Sequence, residues 1–387
     1  MRAHLDFSLA LHHQLAPAPD RTFCWSPYSV ASALGLTAAA AGGETRRELV
    51  AALRNPDGTD DSTDELAALL ADAAELDDTP GAEQPALAVA NTLWAHEKLP
   101  IEDTYRQVLR NWPGSAVRNA PFRADPERAR RQINADVSDT TRELIPELLD
   151  PGTVDPDTVA AVVNALYLKT SWSEAFDEQA TEPRPFHAPG GSRDVDTMRA
   201  TRRLGYAARD GWQVVSLPAA GGVEAVVLLP DQLAPPDQLA PPDQLASSYQ
   251  LASAEAALGA AELDALLGSV EQQRVELLLP KFEVEGDAEL RRPLAALGAR
   301  TLFTPGADFS ALTPEPLRVS TIVHQSVLRV DENGLEGAAA TATMMRLTSI
   351  VQEEEPIRVE VDRPFLFLVR HRGTGALYFL ARVVDPA

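Results

Sequence analysis

Cysteine and histidine are the side chains of this sequence best suited to chemistry, because they supply nucleophiles, general bases and metal ligands. The only cysteine, Cys24, stands in FCWSPYSV without a basic neighbour that would stabilise a thiolate, so we predict a buried structural thiol. His12 and His13 are adjacent, and adjacent helical residues point to different faces, so they predict a solvated face rather than a metal site. His324 lies in the apolar stretch STIVHQSVL, which predicts a hydrogen-bonded core histidine.

Motifs of known catalytic chemistry are absent from the sequence. It contains no GxSxG nucleophile elbow, no HExxH zinc helix, no Walker loop, no GxGxxG turn and no CxxC pair. We therefore predict that the protein is not an enzyme and that it uses neither a metal nor a cofactor.

Charge and composition narrow the classes of partner. The 387 residues are 45% hydrophobic and 24% charged, which is typical of a globular protein, and the net charge is −23. Such a charge repels nucleic acid and anionic membranes, so neither is an expected partner. A single cysteine allows no disulfide within the chain, so the core must hold the fold.

The N-terminus predicts a helix rather than a targeting segment. Phe7, Leu11 and Leu15 recur at helical spacing, and Asp6 interrupts the apolar run that a signal peptide needs. No run reaches the roughly 20 apolar residues of a membrane span. We expect a cytoplasmic protein as the chain stands, and an extracellular one if a leader was removed.

The elements that must position any site change type along the chain. Helical patterns dominate the first part, including VASALGLTAAAA, which Ser26 and Pro27 open as N-cap and first helical residue. TVAAVVNALYLKTSW is a long apolar strand candidate, and from residue 195 onward strand patterns dominate. Segregated helices and strands predict an α+β protein, and the lack of a polar linker predicts one domain over residues 1–387.

A tandem repeat interrupts the strand-rich part. PDQLAP occurs twice and PDQLAS follows, within residues 230–247. Proline at the start of every unit excludes a continuous helix and a central strand. We predict a surface loop insertion rather than a binding motif.

Within residues 330–356, VDENGLEGAAATATMMRLTSIVQEEEP, the stretch from Gly334 to Thr343 combines small side chains with a single charge, that of Glu336. In a strand, alternate residues face one side, and Leu335, Thr341 and Met345 belong to a set that carries no charge. Glu336 and Arg346 have the other parity. The segment is therefore compatible with burial as a strand.

Seven stretches, in order, resemble the serpins over essentially the whole chain. They are SPYSVASALGLTAAAAGGETRREL, INADVSDTT, VVNALYLKTSWSEAF, LPKFEVE, LGARTLFTPGADFSAL, VHQSVLRVDENGLEGAAATA and RPFLFLVRHRGTGALYFLARVVDP. The resemblance implies the serpin fold, with three β-sheets, eight or nine helices and an exposed reactive-centre loop. It also implies a suicide substrate: a protease cleaves the loop, and the part before the cut inserts into the central sheet.

The resemblance assigns residues 332–356 to the hinge and reactive-centre loop. The hinge residues are Glu332, Gly334, Leu335, Glu336, Gly337, Ala338, Ala339, Ala340 and Thr341. The family's spacing places the reactive bond between Thr348 and Ser349, with Leu347–Thr348 as the alternative. Leu335 departs from the smaller residue of most inhibitory members, so we expect slower insertion.

Two further clusters follow from the resemblance. Ser26, Ser29, Asn164 and His324 match the polar shutter cluster, where the strands of the central sheet part. Lys169 and Trp172 match the breach, where insertion starts; Phe176 lies nearby, and we interpret it as a core residue. Thr22 stands where the family commonly has Asn.

The resemblance implies a monomer that forms a covalent complex with a chymotrypsin-like or subtilisin/elastase-like serine protease; a trypsin-like target, suggested by Arg346, ranks last. The alternatives are a noninhibitory chaperone, carrier or storage serpin, or an inhibitor of papain-like cysteine proteases. Heparin activation is not expected, because the matching helix, STDELAALLADAAELDD, is acidic. Only three lysines among many arginines and alanines suggest a prokaryotic, GC-rich genome.

Overall fold

The structure is a computed structural model that describes residues 2–16, 18–53, 60–78, 84–156, 158, 160–231, 245–319, 322–335 and 355–387. Nine α-helices lie within these ranges: α1 (Arg2–Leu15), α2 (Pro27–Ala40), α3 (Gly43–Ala52), α4 (Asp60–Ala74), α5 (Asp103–Leu109), α6 (Pro126–Thr140), α7 (Leu245–Ala257), α8 (Ala260–Gly268) and α9 (Arg291–Ala296). None of the helices in the described ranges is both long and apolar enough to cross a membrane.

The strands alternate with these helices at first and dominate later. They are β1 (Phe23–Trp25), β2 (Ala86–His96), β3 (Ser115–Ala120), β4 (Ala160–Ser171), β5 (Glu182–Ala188), β6 (Gly191–Arg209), β7 (Trp212–Pro218), β8 (Val223–Pro230), β9 (Glu271–Pro280), β10 (Phe282–Glu289), β11 (Val323–Val330), β12 (Gly334–Leu335), β13 (Ile357–Glu360), β14 (Phe365–His371) and β15 (Leu377–Val383). The predicted α+β class is confirmed.

The strands form two hydrogen-bonded networks. A six-stranded sheet has the order β10-β11-β12-β4-β2-β3. A nine-stranded network has the order β1-β15-β14-β8-β7-β6-β9-β13, with β5 also on β6. The 19-residue β6 joins two groups of strands, one with β5, β9 and β13 and one with β7 and its neighbours. These two groups and the six-stranded sheet correspond to the three predicted sheets.

Helix α2 lies between the sheets, because it contacts both β4 and β15. Its start follows from local chemistry: the side chain of Ser26 accepts a hydrogen bond from the Ser29 amide, and Pro27 occupies the first turn. Its small and apolar residues suit a helix that is buried on nearly all sides. Strands β8, β14 and β15 are mostly apolar and buried along nearly their whole length, as strands covered on both faces are.

The repeat insertion is narrower than the predicted 230–247. Strand β8 ends at Pro230 and helix α7 begins at Leu245, because the sequence after the last repeat proline can form a helix; residues 232–244 lie outside the described residues. Both edges are fastened to the scaffold. The Arg363 guanidinium donates to the Pro230 carbonyl at 2.9 and 3.2 Å, and the Gln250 amide donates to the Asp231 carbonyl.

Candidate functional site

The two residues of β12 lie between β4 and β11 at one end of the six-stranded sheet. Gly334 pairs with Ser171 and Leu335 with Thr170 on β4, and Leu335 also pairs with Val330 on β11, antiparallel in each case. Beyond this point β4 and β11 share no ladder within the described residues. Within the described residues, the parallel strands β4 and β11 are thus joined only at one end, through the predicted hinge. We call the region between these two strands the central gap.

The seat of Gly334 admits only glycine. A Cβ atom built on Gly334 would lie 2.2 Å from the Thr170 carbonyl oxygen and 2.7 Å from the Ser171 Cα. These are backbone atoms of β4, which cannot rotate away as a side chain can. Gly334 thus allows the hinge backbone to approach β4 closely enough to pair.

Leu335 points into the main core, although the reactive loop was predicted to be exposed. Its side chain is 1% exposed, and the space beneath it is only about 10 Å³. Leu166, Leu168 and Phe379 line that space. The bulk of leucine therefore fills its site, and the hinge already lies in the sheet at this residue.

Glu332 anchors the chain directly before β12. Its carboxylate, on a side chain only 7% exposed, lies 2.9 Å from the Lys281 ammonium and accepts a hydrogen bond from the Thr181 hydroxyl at 2.7 Å. The Phe176 amide donates to the Glu332 carbonyl at 2.8 Å. Burial alone would raise the pKa of Glu332, but the bonds from Lys281 and Thr181 outweigh it and hold this pKa below its usual value.

The breach residue Trp172 contacts the turn that leads into the hinge. Its indole N–H donates to the Asp331 carbonyl at 2.8 Å, and its amide donates to the Asn333 carbonyl at 2.9 Å. Its ring meets Phe176 edge-on at 6.3 Å, and both side chains are buried. Lys169 lies two residues before the end of β4, half-buried. Trp172 and Phe176 are thus core residues that also hold the chain at the hinge.

The shutter residues are in one region but do not all bond to each other. The Ser26 amide donates to Nε2 of His324 at 3.0 Å, and the Ser29 amide donates to the Ser26 hydroxyl oxygen at 3.1 Å. Asn164 instead donates to Asn91 on β2, which in turn donates to the Ser32 hydroxyl at 2.8 Å. Thr22 does not join this cluster; its hydroxyl bonds the C-terminal segment at Asp385.

Burial sets the electrostatics of the shutter. It lowers the pKa of His324 to about 4, so the imidazole is neutral at physiological pH. Three buried side-chain oxygens have no hydrogen-bond partner among the described residues: Ser29 Oγ and Asn164 Oδ1 in the shutter, and Ser171 Oγ at the hinge end of β4. Asn164 and Ser171 both lie on β4, which borders the central gap. Buried oxygens that can still accept a hydrogen bond therefore lie where another strand would enter.

A second cavity, of about 80 Å³, lies at the other end of the gap. Ala160 and Val162 of β4 line one side, Ile322 and Val323 the other, and Ala33 of α2 the floor. The lining is mainly apolar. The central gap therefore extends along β4 from the seat of Leu335 towards Ala160.

Cys24 and His12 lie outside this site, and the structure tests the predictions made for each of them. Cys24 is buried, 1% exposed, and burial raises its pKa to about 12, as a structural thiol requires. The solvated face predicted for His12 is wrong: His12 is fully buried and bonds the carboxylate of Glu255 on α7. The partner lies 243 residues away, so no local pattern indicated it.

Sequence reasoning missed Lys281, Thr181 and Asn91. Lys281 carried a signal: it is one of only three lysines among 34 basic residues, and Lys169 in the breach is another. Asn91 and Thr181 carried none, because their roles depend on tertiary contacts. The predicted hinge residues Glu336, Gly337, Ala338, Ala339, Ala340 and Thr341 and the predicted bond residues Leu347, Thr348 and Ser349 lie outside the described residues.

An α+β molecule with a short hinge strand seated between two parallel strands has the architecture of the serpins. Uncleaved ovalbumin superposes with a TM-score of 0.82 at 23% identity over 99% of both chains. Human thyroxine-binding globulin, in complex with thyroxine, gives 0.82 at 22% identity over 100% of this chain and 98% of that one. At this identity the likeness shows the fold alone, which confirms the predicted serpin fold.

The chain belongs to the serpin family, because the family model Serpin (serine protease inhibitor) matches residues 2–386. Iripin-2 of Ixodes ricinus is 31% identical over 99% of this chain and 92% of its own length. An uncharacterized serpin-like protein of Thermococcus kodakarensis is 28% identical over 98% of this chain and 84% of its own. A serine protease inhibitor of Cyanea capillata is 28% identical over 96% of this chain and 94% of its own.

Proposed function

We propose that this serpin is a monomeric suicide inhibitor of serine proteases that traps its target by inserting its cleaved loop into the central gap. The observation that carries the proposal is the position of Gly334 and Leu335, which pair with β4 on one side while Leu335 pairs with β11 on the other. A hinge that already pairs with both strands defines the register in which the residues after Leu335 would insert.

The register of β12 supports the proposal. Continued in the same register, Thr341 would come opposite Asn164 on β4 and His324 on β11. It would then meet the region where Asn164 has an unpartnered oxygen. Directly opposed residues share a face of the sheet, so the Thr341 hydroxyl would be placed to donate to this oxygen, while the backbone donors of the inserted strand would pair with carbonyls of β4 and β11.

The side-chain pattern is compatible with this register. Leu335 faces the same core as Leu166 and Leu168, so residues of its parity would face the core as well. Thr341 and Met345 have this parity, whereas Glu336 and Arg346 do not. No charge would therefore enter the core during insertion.

The proposed chemistry belongs to the protease. Its serine attacks the carbonyl of Thr348, the peptide bond to Ser349 breaks, and the new C-terminal fragment leaves with its amine. Thr348 is then esterified to the protease, and insertion moves the protease before water cleaves this ester. Insertion proceeds because the added strand gains ladder hydrogen bonds and buried area.

The target is proposed from the loop sequence alone. Leu347 suits a chymotrypsin-like pocket, Thr348 an elastase-like or subtilisin-like one, and Arg346 a trypsin-like one. A prokaryotic origin and the absence of heparin activation remain predictions from composition. So does a cytoplasmic location for the chain as it stands, or an extracellular one for a chain that has lost a leader.

The bulk of Leu335 favours the second candidate, a noninhibitory serpin. Leu335 is larger than the residue of most inhibitory members at this position, and slower insertion of the residues that follow it would let hydrolysis finish first. Such a chain would be cleaved and release active protease, as a carrier, chaperone or storage serpin would. A third candidate, inhibition of papain-like enzymes, would use the same insertion against a thiolate.

The test is to mix the protein with chymotrypsin, subtilisin, elastase, trypsin and papain and to analyse denaturing gels. We expect an SDS-stable complex and a released peptide that begins at Ser349 or Thr348 by mass. Each protease inactivated at its nucleophile is the control and should give no complex. Loop cleavage with full protease activity remaining would support the noninhibitory candidate, and a rise in melting temperature after cleavage would separately report insertion.

A further inference from the structure

Two buried imidazoles accept hydrogen bonds from two consecutive residues, at the point where β1 passes into α2. The Trp25 indole N–H donates to Nδ1 of His12 at 3.1 Å, and the Ser26 amide donates to Nε2 of His324 at 3.0 Å. Trp25 also meets the ring of His324 edge-on at 6.5 Å. All four residues are at most 3% exposed.

An imidazole nitrogen that accepts a hydrogen bond cannot also carry a proton. Protonation of His12 at Nδ1 would place an N–H against the Trp25 N–H, and protonation of His324 at Nε2 would do the same to the Ser26 amide. Each event would leave two buried donors facing each other without an acceptor. The closed arrangement is therefore compatible only with neutral imidazoles.

The groups around His12 also determine its charge. Nε2 of His12 bonds the carboxylate of Glu255 from α7, and Arg382 of β15 bonds the same carboxylate at 2.7 Å. His13 is the remaining titratable neighbour, at a ring distance of 6.4 Å. Burial lowers the pKa of His12 and, with the positive charges of Arg382 and His13, outweighs the attraction of Glu255. Arg382 already neutralises that carboxylate, so a second cation gains little there.

The surroundings of His324 are neutral. The indole of Trp25 and the backbone of Ser26 meet its ring, and burial is the cause of its low pKa. Cys24 on β1 bonds Ser326 on the same strand as His324, and burial keeps this thiol protonated. Charging His324 would therefore find no counter-ion among the described residues.

We propose that Trp25 and Ser26, held by His12 and His324, form an acid-sensitive lock between the N-terminal helix and the six-stranded sheet. The lock joins α1, β1, α2 and β11. Helix α2 starts at Pro27, next to Ser26, and its Ser32 accepts a hydrogen bond from Asn91 on β2. If Trp25 and Ser26 are released, the N-terminal end of α2, which packs beneath the central gap, is therefore released as well. The lock is a property of the uncleaved protein and does not depend on the proposed inhibition.

The direction of the pH effect follows from the lowered pKa. The open state binds a proton at the ordinary histidine pKa of 6.5, and the closed state does so only at about 4 for His324. The lock is therefore intact above pH 6.5 and weakens as the pH falls towards 4. For His324 alone, the opening equilibrium at pH 5 increases about 30-fold relative to neutral pH.

Hydrogen exchange measured by mass spectrometry tests the lock. Peptides that cover residues 23–32 are compared at pH 7.5 and 5.0, after correction for the intrinsic exchange rate. The wild type should open more than about 30-fold more at pH 5.0, because His12 adds to the effect of His324. His324→Gln should lose most of this increase and the double variant with His12→Gln all of it, because an amide oxygen accepts without titrating.

A matched variant controls for other histidines. His4 is buried elsewhere on α1, where it accepts from the Leu377 amide. His4→Gln should leave the exchange ratio of residues 23–32 unchanged. A double glutamine variant with the wild-type ratio would overturn the proposal.

A second measurement serves if a glutamine variant fails to fold. The histidine carbon and nitrogen shifts of the isotopically labelled wild type report charge directly between pH 7.5 and 5.0. His12 and His324 should stay neutral to pH 5.5. If both are charged at pH 6 in the folded protein, the lock does not exist.

Discussion

The ammonium of Lys281 lies 2.9 Å from the buried carboxylate of Glu332, and this pair connects the two strand networks. Lys281 is the single residue between β9, in the nine-stranded network, and β10, in the six-stranded sheet. One residue, Asn333, separates Glu332 from β12. The pair thus links the turn between the sheets to the base of the hinge.

Removal of this ammonium should destabilise the protein. In Lys281→Met the apolar stem remains, but the carboxylate of Glu332 loses its charged partner and keeps the bonds from Thr181 and from its own backbone amide. We expect a loss of about 1–3 kcal/mol in the free energy of unfolding, measured in urea. Arg329→Met is the matched control: Arg329 pairs with Glu283 at 2.8 Å, but both side chains are more than 40% exposed, so the loss should stay below about 1 kcal/mol. Equal losses in the two variants would contradict this account.

The pH dependence of the same pair has a defined sign. The folded pKa of Glu332 lies below its unfolded value of about 4.5, so its contribution is full above pH 4.5 and is lost as the pH falls through the folded pKa. Bonding to Glu332 raises the pKa of Lys281, which keeps the pair charged throughout the neutral range. The stability difference between wild type and Lys281→Met should therefore be constant from pH 5 to 9 and shrink below 4.5. A constant difference down to pH 3 would contradict the assignment.

Gly334→Ala should expel the hinge strand from the gap. The new Cβ would overlap the backbone of Thr170 and Ser171, so β12 must leave β4. We expect the amides of residues 332–335 to exchange about tenfold faster or more. Gly268→Ala on α8 is the control, because its Cβ would meet nothing within 4 Å and the change should be neutral or slightly stabilising. Unchanged exchange in Gly334→Ala would show that β12 tolerates the added atom.

Leu335→Arg should convert the proposed inhibitor into a substrate. The seat of Leu335 is apolar and full, so a guanidinium cannot enter it without large cost. The number of serpin molecules consumed per protease should rise steeply, while circular dichroism stays native. Leu335→Thr, which is smaller, should inhibit at least as well as the wild type. If Leu335→Arg and the wild type consumed the same number of serpin molecules per protease, the role assigned to Leu335 in the hinge would be wrong.

The repeat insertion should be dispensable for stability. Deletion of one PDQLAP unit leaves the bonds to Pro230 and Asp231 in place, so the urea midpoint should not change measurably. Arg363→Ala, in contrast, leaves the Pro230 carbonyl unsatisfied next to a void and should cost about 2–3 kcal/mol. A destabilising deletion would mean that the repeat packs on the domain.

Local chemistry explains what the sequence predicted well. Ser26 and Pro27 specify the start of α2 because capping and proline preference act within one turn. The long apolar run of β4 could be predicted as a strand for the same reason, because the pattern that indicates a strand lies within the strand itself. The serpin motifs added the order of these elements.

Long-range contacts explain the features that the sequence did not predict. The burial of His12 depends on Glu255 and Arg382, which lie hundreds of residues away. The seating of Leu335 depends on whether β4 and β11 pair with each other or with β12, and no local pattern decides such a competition. Glu332 was expected in the hinge, but its partner Lys281 was not, since the pair forms only when two sheets meet.

Hydrogen bonds hold the residues at the start of the repeat insertion, Pro230 and Asp231, and this has a consequence for the number of repeats in the gene. Each PDQLAP unit corresponds to six codons, so copying errors that add or drop a unit preserve the reading frame. Arg363 and Gln250 hold Pro230 and Asp231 whatever the number of units between Asp231 and α7. A change in repeat number would therefore leave both contacts in place, and the same position is a suitable place to graft an epitope or a reporter.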